Sequence, residues 1–168
     1  MSNKKHYIIT SITLGLIGAA SGALIGLSNL ATKNAIAKNE INKINQGIAA
    51  IFGDNSSISD SEDITGYKYT NHLYHVDIDG QMGLALRTSG SNMYGKLSLI
   101  VGFKDDKFIG FYVVVNEQTY ASTLVENYIN TVNDGSRSLD DVTCGATYGA
   151  KLARDMVNEA KEVMEKVN

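Results

Sequence analysis

The spacing of apolar residues along this chain changes from a continuous run to a helical stripe, then to strand-like alternation, and back to a helical stripe. The continuous run is YIITSITLGLIGAASGALIGLSNLAT, 26 uncharged residues between His6 and Lys33. At about 1.5 Å per residue, a helix of that length exceeds the roughly 30 Å hydrocarbon thickness of a bilayer. It predicts a transmembrane helix over 7–32 behind a short tail at 1–6. The rival is a cleaved signal peptide, for which Ala35-Ile36-Ala37 offers a small-residue cleavage site. The apolar region of such a peptide is usually only about 7–15 residues, shorter than this run. Next, Ala37, Ile41, Ile44, Ile48 and Phe52 recur at three- and four-residue steps, which predicts an amphipathic stalk helix over 33–53. Gly53-Asp54-Asn55-Ser56-Ser57 ends it, and the polar, acidic run from Ser59 to Asp63 reads as a solvated loop.

From Gly66 to Asn116 the pattern is β. YKYTNHLYHVDI, MGLALRT, KLSLIVGF and KFIGFYVVVN are rich in Tyr, Val, Ile and Phe, with turn residues between them. Asp79-Gly80 and Asp105-Asp106 suit hairpin turns, so the sheet is largely antiparallel. Leu124, Val125, Tyr128, Ile129 and Val132 share one face of a helix over 120–132, and Leu152, Met156, Val157 and Ala160 one face of a last helix. The fold class is therefore α+β: one N-terminal transmembrane helix, then a single domain over 64–168 with a mostly antiparallel sheet and flanking helices.

Composition narrows the functions open to such a chain. The net charge of −3, with no basic stripe, excludes nucleic acid as a partner. One cysteine excludes a disulfide framework or a cysteine-rich metal centre held by this chain alone. Lys4 and Lys5 on one side of the apolar run, and Lys33, Lys38 and Lys43 on the other, leave its orientation open. His72 and His75 are three apart in a strand and so point to opposite faces, which argues against a shared metal. Asp77-Ile78-Asp79-Gly80 imitates a calcium loop but has Thr88 where the bidentate Glu belongs, so a hairpin explains it better. Gly18, Gly22 and Gly26 line one face of the apolar helix and suit close packing against a second membrane helix.

The stretch with chemistry is DVTCGATYGAKLARDMVNEA, Asp141 to Ala160. Cys144, Gly145, Ala146 and Thr147 fall at the N-terminus of the last helix, where unpaired backbone N–H groups and the macrodipole favour a phosphate. Gly145 and Ala146 leave the backbone uncovered, and Thr147 adds a hydroxyl. An ordinary helix cap by Thr147 is the plain alternative.

The run Asp141 to Thr147, Asp-x-x-Cys-Gly-Ala-Thr, resembles the flavinylation motif Asp-x-x-(Ser/Thr)-Gly-Ala-(Thr/Ser) of FMN-binding domains. The type members of that family are flavin-carrying subunits of the Rnf electron-transport complex and of the sodium-pumping NADH:quinone oxidoreductase. The similarity extends upstream through GKLSLIVGFKDDKFIGFYVVVNEQT, Gly95 to Thr119, and the membrane segment is in the family's position. The resemblance implies FMN held covalently by a phosphoester on Thr147 and installed from FAD by a separate flavin transferase. Around that residue it points to Asp141, Thr143, Cys144, Gly145, Ala146 and Tyr148, with Glu117 and Thr119 from the upstream loop, and Tyr120 as a further aromatic. Asp141 matches the acid that opens the motif, which the transferase would need. Two departures stand out: Cys144 replaces the usual hydroxyl residue, and Asn116 to Ala121 lacks the family loop's Pro and glycines.

The function so implied is an electron-relay subunit of an ion-translocating, Rnf-type ferredoxin:NAD oxidoreductase, with its soluble domain on the extracytoplasmic side of the cell membrane. Its partners would be the other membrane subunits of that complex. The alternatives are the quinone-reducing sodium pump, a stand-alone extracellular FMN electron carrier and, from another class, a non-redox membrane-anchored binding or scaffold module.

Overall fold

The computed structural model describes residues 2–167. Its elements are α1 (Ser2–Phe52), β1 (Ser56–Asp63), β2 (Thr70–Ile78), β3 (Gln81–Asn92), β4 (Gly95–Lys104), β5 (Lys107–Asn116), α2 (Ser122–Asn133) and α3 (Thr147–Val167). The chain forms two compact units, Met1–Asn39 and Glu40–Asn168.

In the first unit, His6–Asn29 has a mean hydropathy of 2.0 and is wholly exposed. The helix is long and apolar enough to cross a membrane. A Cβ placed on Gly15, Gly18, Gly22 or Gly26 meets nothing within 4 Å, so the glycine face is open.

The second unit is an α+β domain around one antiparallel sheet in the order β1-β2-β3-β4-β5. The short connections dictate this meander. Asp79 (φ 52°) and Gly80 (φ 84°), and Asp105 (φ 49°) and Asp106 (φ 60°), are left-handed at both central positions, as type I′ hairpin turns require. The Asp77 carboxylate accepts the Gly80 N–H at 2.7 Å and closes the first of these turns.

Alternation along the strands sorts side chains to two covered faces. Leu73, Leu86, Leu97, Leu99 and Val101 are buried under α2 and α3. Tyr74, Val76, Ala85, Ile100 and Val114 are buried on the other face with Ile44 and Ile48 of α1. His72 stacks on Tyr74 and so shares its face, while His75 lies on the opposite one.

Two parts of the sequence reading change here. The compact domain begins at Glu40 rather than 64, because Ile44, Ile48, Ile51 and Phe52 of the expected stalk form a third layer on the sheet. Gly102 permits that contact, since a Cβ there would lie 2.4 Å from Ile51 Cγ2. Glu40 pairs with Arg87 of β3 at the start of this packed segment. The expected loop at Ser59–Asp63 is instead most of strand β1, paired in register from Ser56↔Ile78 to Asp63↔His72. Only Ile58 of β1 is apolar, so backbone pairing holds the strand, helped by His72–Asp63 and His75–Glu62 contacts.

At the other edge, the Asn133 side chain pairs with β5. Its oxygen accepts the Phe111 N–H at 3.1 Å, and its amide donates to the Phe111 carbonyl at 2.7 Å.

Glu159 of α3 ties the helix to the start of β2, accepting the N–H groups of Lys68 (3.0 Å), Tyr69 (2.7 Å) and Thr70 (2.7 Å). Burial pushes its carboxyl pKa up, but the three backbone donors outweigh this and hold it below the usual range. A depressed folded-state pKa stabilises the fold above the unfolded value of about 4.3, and that stability is lost as the pH falls through the folded value. Glu159→Ala is expected to cost about 2–3 kcal/mol at neutral pH through loss of charge-assisted bonds. The deficit should shrink below about pH 4. Urea midpoints of both chains across that range check it.

Candidate functional site

Three segments meet at one end of the sheet: the β3–β4 hairpin, the residues after β5, and the loop leading into α3. They enclose a cavity of about 260 Å³ lined by Tyr94, Tyr120, Ala146, Thr147, Tyr148 and Gly149, among others. A larger cavity of about 350 Å³ lies between Lys43, Tyr112, Asn116 and Glu126, but contains none of the motif residues.

The loop before α3 is fixed from within. The Tyr128 hydroxyl donates to the Leu139 carbonyl, and burial pushes its pKa up to about 12, so it remains a donor. Asp141 accepts the Thr143 N–H at 3.2 Å and also the Thr143 hydroxyl. Those two bonds, with Arg137 nearby, hold the Asp141 carboxyl below its usual range and keep it ionised. Arg137 donates to the Thr143 carbonyl at 3.1 Å, which ties the loop's start to its end.

Gly145 then adopts φ +76°, a left-handed turn that aims the chain into α3. Ala146 is buried (4% exposed), and its carbonyl accepts the Ala150 N–H at 3.0 Å. Thr147 follows as the first residue of α3, partly exposed at the cavity wall. Among the described residues nothing hydrogen-bonds its hydroxyl, so it does not act as an ordinary side-chain cap. Gly149, two residues on, lets the helix end dock against α2: a Cβ there would lie 2.4 Å from Val125 Cγ2.

The opposite wall is built on Gln118 and Thr119. Gln118 is buried and donates from Nε2 to the Gly95 carbonyl at 2.5 Å. Thr119 donates both its N–H (2.7 Å) and its hydroxyl (2.9 Å) to the Tyr94 carbonyl. Tyr94 therefore sits on a hairpin clamped to the segment that carries Tyr120, and its ring lies 5.3 Å from that of Tyr120 and 5.8 Å from that of Tyr148.

Of the residues singled out in the sequence, Gly145, Ala146, Thr147 and Tyr148 line the cavity together with Tyr120. Cys144, partly buried against the core, and Thr143 and Asp141 shape the loop outside that lining. Thr119 fixes the hairpin, and Glu117 is exposed with its N–H donated to the Lys96 carbonyl at 2.8 Å. Sequence reasoning misses Tyr94, Gln118 and Arg137. Tyr94 precedes a glycine between two strands, a turn signal that could have marked the hairpin. Gln118 occupies the stretch where the family's loop would place Pro and Gly, and nothing in the sequence marks it as buried.

The residues present fit a phosphate-linked flavin. The first N–H groups of α3 have no intrahelical acceptor and suit a phosphate beside the unengaged Thr147 hydroxyl. The aromatic-walled cavity next to them suits a planar ring. Compared with protein-family models and with curated proteins, the chain matches none.

Proposed function

We propose that this chain is a membrane-anchored flavoprotein subunit carrying FMN as a phosphoester on Thr147. The observation that carries the reading is the placing of Thr147, whose unengaged hydroxyl stands at the N-terminus of a long helix on the wall of a cavity lined by three tyrosines. The resemblance of Asp141–Thr147 to the flavinylation motif supplies the chemistry. In attachment from FAD, Thr147 Oγ forms the ester bond and gives up its proton while AMP leaves the donor. Gly145 and the buried Ala146 keep the backbone low at that point, and Arg137 and Asp141 hold the loop in shape. Bound flavin supplies the redox chemistry, and the chain supplies its position and surroundings.

The same reading makes the subunit an electron relay in an Rnf-type ferredoxin:NAD oxidoreductase, with the domain on the extracytoplasmic side. A covalent tether suits that side, where a dissociating cofactor would be lost. The test is co-expression with a flavin transferase followed by a denaturing gel viewed under ultraviolet light. A fluorescent band at the mass of this chain is expected. Its absence would favour the non-redox anchored module instead.

The glycine face at Gly18, Gly22 and Gly26 would receive another membrane subunit of the complex. Gly22→Leu is then expected to release the subunit from detergent-solubilised complex with flavin still attached. Undiminished co-purification of the variant would reject that contact.

A further inference from the structure

The chain has nine tyrosines, and three of them converge at the cavity beside Thr147. Tyr120 and Tyr148 are each 58% exposed, so both rings leave apolar area in water that a flat ligand laid against them would cover. Tyr94 is half-buried and touches both, the first in a tilted contact and the second edge-on. Tyr120 and Tyr148 come from different segments, one after β5 and one on the first turn of α3, and the Tyr94 ring contacts each of them. The segments are pinned: the two Thr119 bonds hold Tyr94 and the Tyr120 segment to each other, Tyr94 also donates its own N–H to Asn92 Oδ1 at 2.8 Å, and α3 is held by Gly149 against Val125. Such an aromatic wall is preorganised for a flat, polarisable ring that stacks or meets edges at ring distances of about 4.5–7 Å.

Resting on the reading of Thr147 as the flavin attachment residue, we infer that Tyr94, Tyr120 and Tyr148 clasp the isoalloxazine ring and quench its emission in the folded protein. The chemistry is specific to the phenol. A tyrosine ring in van der Waals contact with bound flavin would donate an electron to its excited state and take it back, so that light would be lost as heat with no net redox change. Phenylalanine has the same shape but is much harder to oxidise, so it keeps the clasp without the quenching. Tyrosine to phenylalanine exchange thus separates the electronic role from packing, and it removes no buried hydrogen bond: the side-chain hydroxyls of these three residues hold no hydrogen-bond partner among the described residues.

The test uses the full-length chain, flavinylated by a co-expressed transferase and purified in detergent. Flavin emission per bound flavin is compared before and after unfolding in guanidinium, for wild type and for the triple variant Tyr94→Phe, Tyr120→Phe, Tyr148→Phe. Wild type is expected to be several-fold dimmer folded than unfolded, and the triple variant to regain most of that emission while remaining folded and fully flavinylated. If folded wild type is as bright as unfolded, or the triple variant stays as dark as wild type, the clasp is wrong while attachment at Thr147 stands. If wild type carries no covalent flavin, attachment and clasp fall together.

Discussion

Replacing Thr147 by alanine is expected to abolish covalent flavin while leaving the domain folded. The hydroxyl is the only atom of the side chain that the phosphoester needs, and among the described residues it supports nothing in the fold. A partly exposed position of this kind tolerates truncation within about 0.5 kcal/mol. Intact-protein mass spectrometry after co-expression with a transferase reads the outcome directly. FMN retained by the variant would move attachment elsewhere, and Thr143 is the nearest other hydroxyl in the motif. That residue is a poorer acceptor of the cofactor, because its hydroxyl already donates to Asp141 and its carbonyl is held by Arg137.

The second large effect is expected at Gly95. Its φ of +137° lies where side-chain-bearing residues are strained, and an added Cβ would stand 2.1 Å from the Glu117 carbonyl oxygen. Backbone cannot move aside as a flexible side chain can. Strain and overpacking together put Gly95→Ala at about 3–5 kcal/mol of lost stability. The change would also push apart the β3–β4 hairpin and the 117–120 segment, so the cavity should open even in molecules that stay folded. Urea unfolding gives the first number. Amide hydrogen exchange at Thr119, whose N–H is bonded to Tyr94, gives the second. Exchange at Thr119 as slow as in wild type would show that the hairpin had absorbed the side chain.

The elements that can be read from the sequence are those whose side chains carry the folding signal. β2 to β5 and the faces of α2 and α3 follow from alternation and helical spacing, because each buries a regular set of apolar residues. β1 carries no such signal: SSISDSED contributes Ile58 alone to the core, and its pairing with β2 is a property of the backbone. The last turns of α1 are legible as an apolar stripe, but a stripe does not say what covers it, so Ile44 and Ile48 pass for a stalk. At the site, the motif places Thr147, Gly145 and Ala146 because a helix N-terminus is a local feature. Tyr94 reaches the same cavity from more than fifty residues upstream. Only the closure of the β3–β4 hairpin onto Gln118 and Thr119 brings it there, a tertiary event that no local spacing records.

The side-chain amide of Asn133 bonded to both backbone groups of Phe111 has a consequence for how this domain keeps company. An open sheet has two borders at which a foreign strand can be added, and templated growth from such borders is how β proteins turn into fibres. Here Asn133 occupies both backbone groups of Phe111 on one border, and the other is β1, which carries the acidic Asp60, Glu62 and Asp63. With the apolar N-terminal helix seated in a membrane, as proposed, copies of the domain would meet at high local density, where lateral zippering is a hazard. The Asn133 plug at Phe111 and the acids of β1 both make such strand addition harder.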